Sequence, residues 1–436
     1  MNPANTIEKA PSSYSEHVRL LCDRFAAAMN HCDLDSIVVA SGRELPVFLD
    51  DQHYRFKPNP HFVQWLPLLD QPNAWLILTK DRKPRLVILR AADFWHAAPL
   101  LPDESYLQHF DVTICDETSQ AQSLVDKAPG NSALICPDTG AEELDSLLNF
   151  LHFERGVKST YEIECLREAS KRGVNAHLAA KDAFFAGGSE FDIHTAFMRA
   201  SGCSEHELPY PDIVACNENA ATLHYQKRMH LASPESLLID AGAGVNGYGS
   251  DITRTYSSRE NTFRALIESV DTLQQTLCAL VKPGISFGEL HHDTHAGIAN
   301  VLRDHDIISC DVEEAIGSGI TSAFFPHGLG HFLGIQVHDV GGHMADHTGT
   351  QAPPPKAYPH LRMTRKLEPG MVLTIEPGIY FIDMLLNKLR SSDANRHLNW
   401  STIGVLLPFG GIRIEDNLVV TSNGSENLTR DAFSKH

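Results

Sequence analysis

The sequence predicts an α/β domain over residues 1–157, followed by a larger domain, residues 158–436, that mixes long helices with interleaved strands. Three observations carry this expectation. The chain has 436 residues, room for two or three domains at about 150 residues each. Its first third alternates short apolar runs with helical periodicity. A polar stretch, Arg155-Gly156-Val157-Lys158, then separates that third from a region of longer helices.

Taken in order, residues 15–29 place Val18, Leu21, Phe25 and Met29 at helical spacing. Residues 36–40 form a short apolar strand. Residues 74–79 and 85–89 read as a hairpin around Lys80-Asp81-Arg82-Lys83-Pro84. A strand at 133–136 and a helix at 142–151 complete the α/β pattern. Beyond the boundary, Ser159 with Glu162 three residues later forms a capping box. The helix it opens runs to about residue 185, where Gly187-Gly188 stops it. Further helices are expected near 191–200, 261–281 (ended by Lys282-Pro283-Gly284) and 289–303. Strands at 237–241 and 249–256 flank a glycine-rich turn, and strands at 371–381 and 411–421 come last. The Pro- and Gly-rich stretch 341–359 is too long for an ordinary connection and leads out of a histidine cluster, which marks it as functional. No internal repeat is visible.

Bulk properties narrow the function. Hydrophobic content is 42%, enough for true cores, and the formal net charge of −19 argues against nucleic acid or an anionic membrane as partner. No apolar run is long enough to span a bilayer, and the polar first 17 residues lack the apolar segment of a signal peptide. The nine cysteines are scattered without a CxxC pair. They fit reduced thiols in a cytoplasmic protein, with Ile114-Cys115 and Ile135-Cys136 as buried strand ends.

Five residues stand out as metal-ligand candidates: Asp240, Asp251, His331, Glu376 and Glu415. Asp240 ends the apolar run Leu237-Leu238-Ile239, and Asp251 follows across the glycine turn. In a hairpin both carboxylates can face one side. An acid at the end of such a strand is costly unless paired or metal-bound. His327-Gly328-Leu329-Gly330-His331 and His338 put three imidazoles among small residues, where a backbone can approach an ion or substrate closely. Alternation places Val372, Thr374 and Glu376 on one face, with Pro377-Gly378 ending or bulging the strand. Arg413 and Glu415 share a face, so Arg413 is placed to hold carboxylates. Each residue alone has a plainer structural reading: a turn Asp, a core His, a cross-strand ion pair. Together they suit two divalent cations about 3.5–4 Å apart that share a water and polarise a scissile carbonyl. Carboxylate-rich ligation favours two Mn²⁺, with Zn²⁺, Co²⁺ or Fe²⁺ as alternatives.

These segments resemble the pita-bread metallopeptidases: aminopeptidase P, prolidase and methionine aminopeptidase. The order Asp, Asp, His, Glu, Glu is that family's ligand order, and no position is broken, unlike in the metal-free creatinases. The resemblance narrows to bacterial prolidases (Xaa-Pro dipeptidases), a group that includes organophosphorus acid anhydrolases. It rests on Asp50-Asp51, Tyr54-Arg55-Phe56-Lys57-Pro58-Asn59-Pro60-His61-Phe62, Glu207-Leu208-Pro209-Tyr210-Pro211 and Leu223-His224-Tyr225-Gln226. It spans residues 14–428. It implies an α/β N-terminal domain for dimerisation and site capping. The C-terminal catalytic domain would be an α+β pita-bread (creatinase/aminopeptidase P-like) fold.

The resemblance also implies roles. Asp251 and Glu415 would bridge two metals, Asp240 would complete one ion, and His331 with Glu376 the other. Glu376 would shuttle the proton. His338 and His224 would bind substrate and stabilise the tetrahedral species. Arg362 would grip the carboxylate of a C-terminal proline and so favour dipeptides, its alternative being a surface arginine in a basic cluster with Arg365 and Lys366. Tyr210, His327 and Arg413 would line or support the site. Asp51 and Trp95 would reach a partner's site across a homodimer, the alternative for Trp95 being ordinary burial. Phe332-Leu333 departs from relatives that show a second His there. The implied activity is hydrolysis of Xaa-Pro dipeptides by a hydroxide shared between the metals, with P–F or P–O hydrolysis as a side activity. Two other readings stay open: aminopeptidase P acting on longer peptides, and a non-catalytic peptide-binding protein of the same fold.

Overall fold

The structure, a computed structural model, describes residues 9–91, 93–97, 99–137 and 144–436. The chain divides into two compact units. The first comprises residues up to 165 with 246–248 and 344–351; the second comprises 166–245, 249–343 and 352–436.

The first unit is built on a mixed five-stranded sheet. Its strands are β1 (Ser36–Ala40), β2 (Ala74–Thr79), β3 (Arg85–Leu89), β4 (Asp111–Cys115) and β5 (Ser132–Ile135), in the order β4-β3-β2-β1-β5. The expected hairpin is present: β2 and β3 pair antiparallel, with Leu76 opposite Leu86. β1 is buried along its whole length, as a central strand covered on both faces should be. Val38, Ile77 and Val87 face a cluster that includes Ala121 of the helix Thr118–Val125. The first helix, Tyr14–His31, buries Val18, Leu21, Phe25 and Met29, the stripe its periodicity foretells. Two expectations need correction. Ile114 is exposed and Cys136 only half-buried, because β4 and β5 are the edge strands and one side of each faces solvent. The helix expected at 142–151 runs over Asp145–Arg155; residues 142 and 143 lie outside the described residues. All nine cysteines are free thiols.

The capping box forms: Ser159 N donates to Glu162 Oε2 at 2.8 Å and Glu162 N to Ser159 Oγ at 3.3 Å. The helix it starts, Thr160–Phe185, stops where Gly187 takes φ +84°. In the second unit β6 (Ile213–Cys216), β7 (Ser236–Asp240) and β10 (Thr253–Ser257) form an antiparallel sheet in the order β10-β7-β6. The run expected at 249–256 therefore starts four residues late. Between β7 and β10 lie the two-residue strands β8 (Gly244–Val245) and β9 (Tyr248–Gly249). Beyond Asp240 the register of β7 and β10 continues with one bond per pair, Ala241 N to Ile252 O and Ser250 N to Ala243 O, each at 3.0 Å, while Asp251 N turns to the side-chain amide of Asn417. A Cβ on Gly242 would lie 1.9 Å from Ser250 O, so only glycine permits the crossing.

The last two expected strands are each broken in the middle. Residues 371–381 give β11 (Val372–Ile375) and β12 (Gly378–Tyr380). Residues 411–421 give β13 (Gly411–Arg413) and β14 (Asp416–Val420), and β15 (Ser425–Asn427) follows. β11 pairs with β14 and β12 with β13, so one ribbon kinks at Glu376-Pro377 on one strand and Ile414-Glu415 on the other. Pro377 cannot donate to a ladder, which accounts for one side of the kink. Helices Thr262–Leu280 and Phe287–Asp304 pack on the ribbon. Phe263, Leu266, Ile298 and Leu302 meet Ile379, Ile412 and Ile414 in one core. An α/β N-terminal part and an α+β C-terminal part are thus both present.

Candidate metal centre

Three of the four acids of the predicted set lie outside the named strands: Asp251 in the segment between β9 and β10, and Glu376 and Glu415 on the two sides of the kink. Asp240, the last residue of β7, is still paired with Ile213 and Thr253. A carboxylate outside a strand is released from its alternation and can point along the sheet. His331 is held by the neighbouring segment: Thr374 N donates to His331 O at 3.0 Å and Glu376 N to Leu329 O at 2.8 Å. That segment lies so close to β11 that a Cβ on Gly330 would fall 2.0 Å from Thr374 O.

Ligand-type atoms of Asp251, His331 and Glu415 all lie within 4.8 Å of one another, and all three residues are buried. His331 Nε2 is 3.4 Å from Asp251 Oδ2 and 3.6 Å from Glu376 Oε1. Tyr210 OH lies 2.7 Å from Asp240 Oδ1 and 2.5 Å from Asp251 Oδ1, so its single proton is shared between the two aspartates. Arg413 Nη2 meets Asp240 Oδ2 at 2.6 Å and its Nη1 meets Tyr380 OH at 2.7 Å. Thr253 Oγ1 donates to Glu415 Oε2 at 2.7 Å, and Arg254 Nη1 to Glu415 O at 2.7 Å.

Electrostatics show what this arrangement lacks. Four carboxylates face one arginine and one imidazole. Burial, then the neighbouring acids, pushes Glu415 well above the usual carboxylate range. Burial lifts Glu376 to about 7 and Asp240 to about 6, although Arg413 opposes both rises. Asp251 stays low despite its burial because it faces His331 and Tyr210. His331 is raised: burial lowers it, but Asp251 and Glu376 outweigh that. Glu415 Oε1 is buried and has no hydrogen-bond partner. An unsatisfied charged oxygen in such a site costs at least about 1–3 kcal/mol, and a divalent cation would remove that cost. His331 Nδ1 is 2.9 Å from Phe332 O, so in the neutral ring it keeps the proton and Nε2, which faces the carboxylates, is the nitrogen that would meet a cation. These residues fit a divalent cation.

The remaining predicted residues divide by position. His338 is exposed at the mouth, its ring 4.4 Å from that of His331. Its pKa is held down to about 4 by the surroundings of its ring, then His331 and Arg362, with a smaller contribution from His224. Arg362 and His224 are exposed and lie within electrostatic reach of it. Of the basic cluster named as the alternative for Arg362, Lys366 is exposed like Arg362 itself and Arg365 is buried. His327 shares its Nε2 with Tyr380 OH at 2.9 Å and its Nδ1 with Gly328 O at 2.8 Å. Burial and Arg413 push it to about 3, so it is neutral, and its 3.7 Å approach to Glu376 is no ion pair. Asp51 and Trp95 belong to the first unit, and both are exposed. Trp95 is 78% exposed, so ordinary burial does not explain it. Thr253 and Tyr380 are parts of the centre the sequence reading missed. Tyr380 lies four residues after Glu376, and Thr253 two after Asp251, spacings that could have flagged both.

Such a fold with such a centre defines a pita-bread metallopeptidase. The chain belongs to metallopeptidase family M24, whose model matches residues 164–422. The particular branch is that of the prolidases: residues 12–153 match the Xaa-Pro dipeptidase N-terminal domain. The chain is 43% identical to an Xaa-Pro dipeptidase of Shewanella woodyi, covering 98% of this chain and 99% of that one. It is 44% identical to one of Shewanella oneidensis, covering 96% and 98%. Among solved structures, aminopeptidase P from E. coli with the inhibitor Pro-Leu has the same fold (TM-score 0.73, 24% identity, 98% of this chain and 96% of that one). So does proline aminopeptidase P II from Yersinia pestis (TM-score 0.68, 24% identity, 96% of each).

Proposed function

We propose that this chain is a metal-dependent dipeptidase that cleaves the amide bond between an N-terminal residue and a C-terminal proline. The observation that carries the reading is the buried trio Asp251, His331 and Glu415, flanked by the half-buried Asp240 and Glu376, with Glu415 Oε1 left without a partner. Two divalent cations, Mn²⁺ by preference, would supply Lewis acidity and lower the pKa of a water shared between them. Asp251 and Glu415 would bridge them, Asp240 would serve one, and His331 with Glu376 the other. Glu376, raised to about 7, is matched to taking the proton from the attacking water and passing it to the leaving amine. His338 and His224 would donate to the carbonyl oxygen as charge develops there. Arg413 and Tyr210 hold the aspartates, and His327 would line the substrate side. Arg362, exposed at the mouth, would bind the proline carboxylate, which a longer peptide lacks at that point.

The domain boundary would fall at 157/158, with the N-terminal domain pairing two copies and bringing Asp51 and Trp95 to a partner's site. The exposed Phe94 and Trp95 favour such a contact, and analytical ultracentrifugation of the Trp95→Ala variant tests it. Reduced thiols fit a cytoplasmic setting. Weak hydrolysis of P–F or P–O bonds is expected, since the same activated water can attack tetrahedral phosphorus; no detectable paraoxon or fluoridate turnover would remove that part.

The deciding experiment compares Ala-Pro with Ala-Pro-Gly-Gly after metal stripping and Mn²⁺ reconstitution. Turnover of the dipeptide alone, relaxed in Arg362→Ala, supports a dipeptidase. Preference for the longer peptide would make the chain an aminopeptidase P. No metal bound and no turnover would leave a peptide-binding protein.

A further inference from the structure

His224 lies in a stretch between the turn Asn217–Ala221 and β7 that has no regular structure of its own. An exposed imidazole on such a segment contributes to catalysis only if something fixes its backbone. The fixing group is one buried side chain on another element. Glu190, 1% exposed, opens the helix Glu190–Ser201. Its Oε2 accepts from Tyr225 OH at 2.9 Å and from Met229 N at 2.8 Å, gripping the stretch that follows His224. Its Oε1 accepts from Cys216 N and Asn219 Nδ2, both at 2.9 Å, fixing the end of β6 and the turn before His224. Among the described residues no cation pairs with this carboxylate. Four donors surround it instead, at the start of a helix whose Ser189–Asp192 capping box is complete.

Other contacts reinforce the same platform. Phe191 N donates to Met229 O at 3.3 Å. Arg228 Nη2 meets Asp212 Oδ1 at 2.7 Å, and the other oxygen of Asp212 meets His194 Nδ1 of the same helix at 2.8 Å. Burial and Glu190 together keep the Tyr225 phenol protonated, so it remains a donor.

We propose that Glu190 is a positioning residue for His224: by holding Tyr225 and Met229 through one buried carboxylate, it sets where the His224 imidazole meets the substrate. This rests on the substrate role given to His224 above. Glutamine cannot replace Glu190, because its NH₂ would face N–H or O–H donors in either orientation.

The test is a double-mutant cycle on the Mn²⁺-loaded full chain with Ala-Pro, using Glu190→Gln, His224→Ala and the pair. Glu190→Gln should lower kcat/KM by about 10- to 100-fold, through kcat more than KM, with metal content unchanged. In the His224→Ala background the same change should cost less than about 2-fold. Tyr225→Phe, which removes one donor and no packing, should follow in the same direction by about 3- to 10-fold and keeps the test decisive if Glu190→Gln fails to fold. Effects of Glu190→Gln and His224→Ala that multiply independently, or wild-type rates in Tyr225→Phe, would overturn the positioning role. A His224→Ala enzyme with wild-type rates would instead remove the role of His224 itself.

Discussion

Two buried acids that are neighbours in sequence, Glu415 and Asp416, have opposite surroundings. Asp416 is fully buried and meets Arg254 at 2.6 Å, Arg430 at 2.8 Å and Asn427 at 2.9 Å. Burial would raise its pKa, but the two guanidiniums win and hold it near 2. Glu415, turned to the other side of the kink, has other acids for neighbours, one oxygen without a partner, and a pKa driven up. The lesson is that burial alone does not mark a functional carboxylate. A buried acid that brings its own cations is a structural joint; one that lacks them is built to receive a cation from outside.

The largest effect should come from the proton carrier. Glu376→Ala is expected to lower kcat by about 10³-fold or more while circular dichroism and thermal unfolding remain those of a folded protein; wild-type-like turnover breaks the assignment. Next comes the pair itself. Asp416→Asn should destabilise the metal-free protein by about 3 kcal/mol in urea, because the buried Arg254 loses its carboxylate partner and the half-buried Arg430 loses one of two. Glu415→Gln should leave metal-free stability equal or higher, yet weaken Mn²⁺ binding by at least about 100-fold in calorimetry. Equal losses of stability in both variants would erase the contrast. Metal itself should separate the two sites: saturating Mn²⁺ at about 100 times its Kd adds about 2.7 kcal/mol to the wild type and little to Glu415→Gln.

The smallest effect concerns pH. His291 and His295, buried on the helix Phe287–Asp304, are pushed down by burial to about 3 and about 4. Their unfolded value is near 6.5. Below that pH the unfolded chain takes up protons that the folded one refuses. Stability is therefore full above pH ~6.5 and falls toward pH ~4. Urea titrations of metal-free protein across that window should show a shallower slope in His295→Gln; an unchanged slope would remove these histidines as the cause.

Much of this was legible beforehand, and the failures share a cause. Periodicity located the first helix, the β2–β3 hairpin and the capped helix at Thr160, because one buried face dictates each pattern. It also singled out the four acids and the one histidine of the centre. Pro377-Gly378 foretold the break within 371–381, but nothing foretold the matching break within 411–421, since a two-residue kink hardly disturbs alternation on either side. Nor could periodicity find Glu190, whose meaning lies in partners such as Met229 N, 39 residues distant.

The closeness of Gly330 to Thr374 O has a consequence for how this centre can be silenced. A single methyl group there would wedge the histidine strand away from the acids. Every donor would survive, chemically intact, yet the cage they form would be pried open. Here, one hydrogen atom's worth of space separates a chelate from a scatter of ordinary side chains.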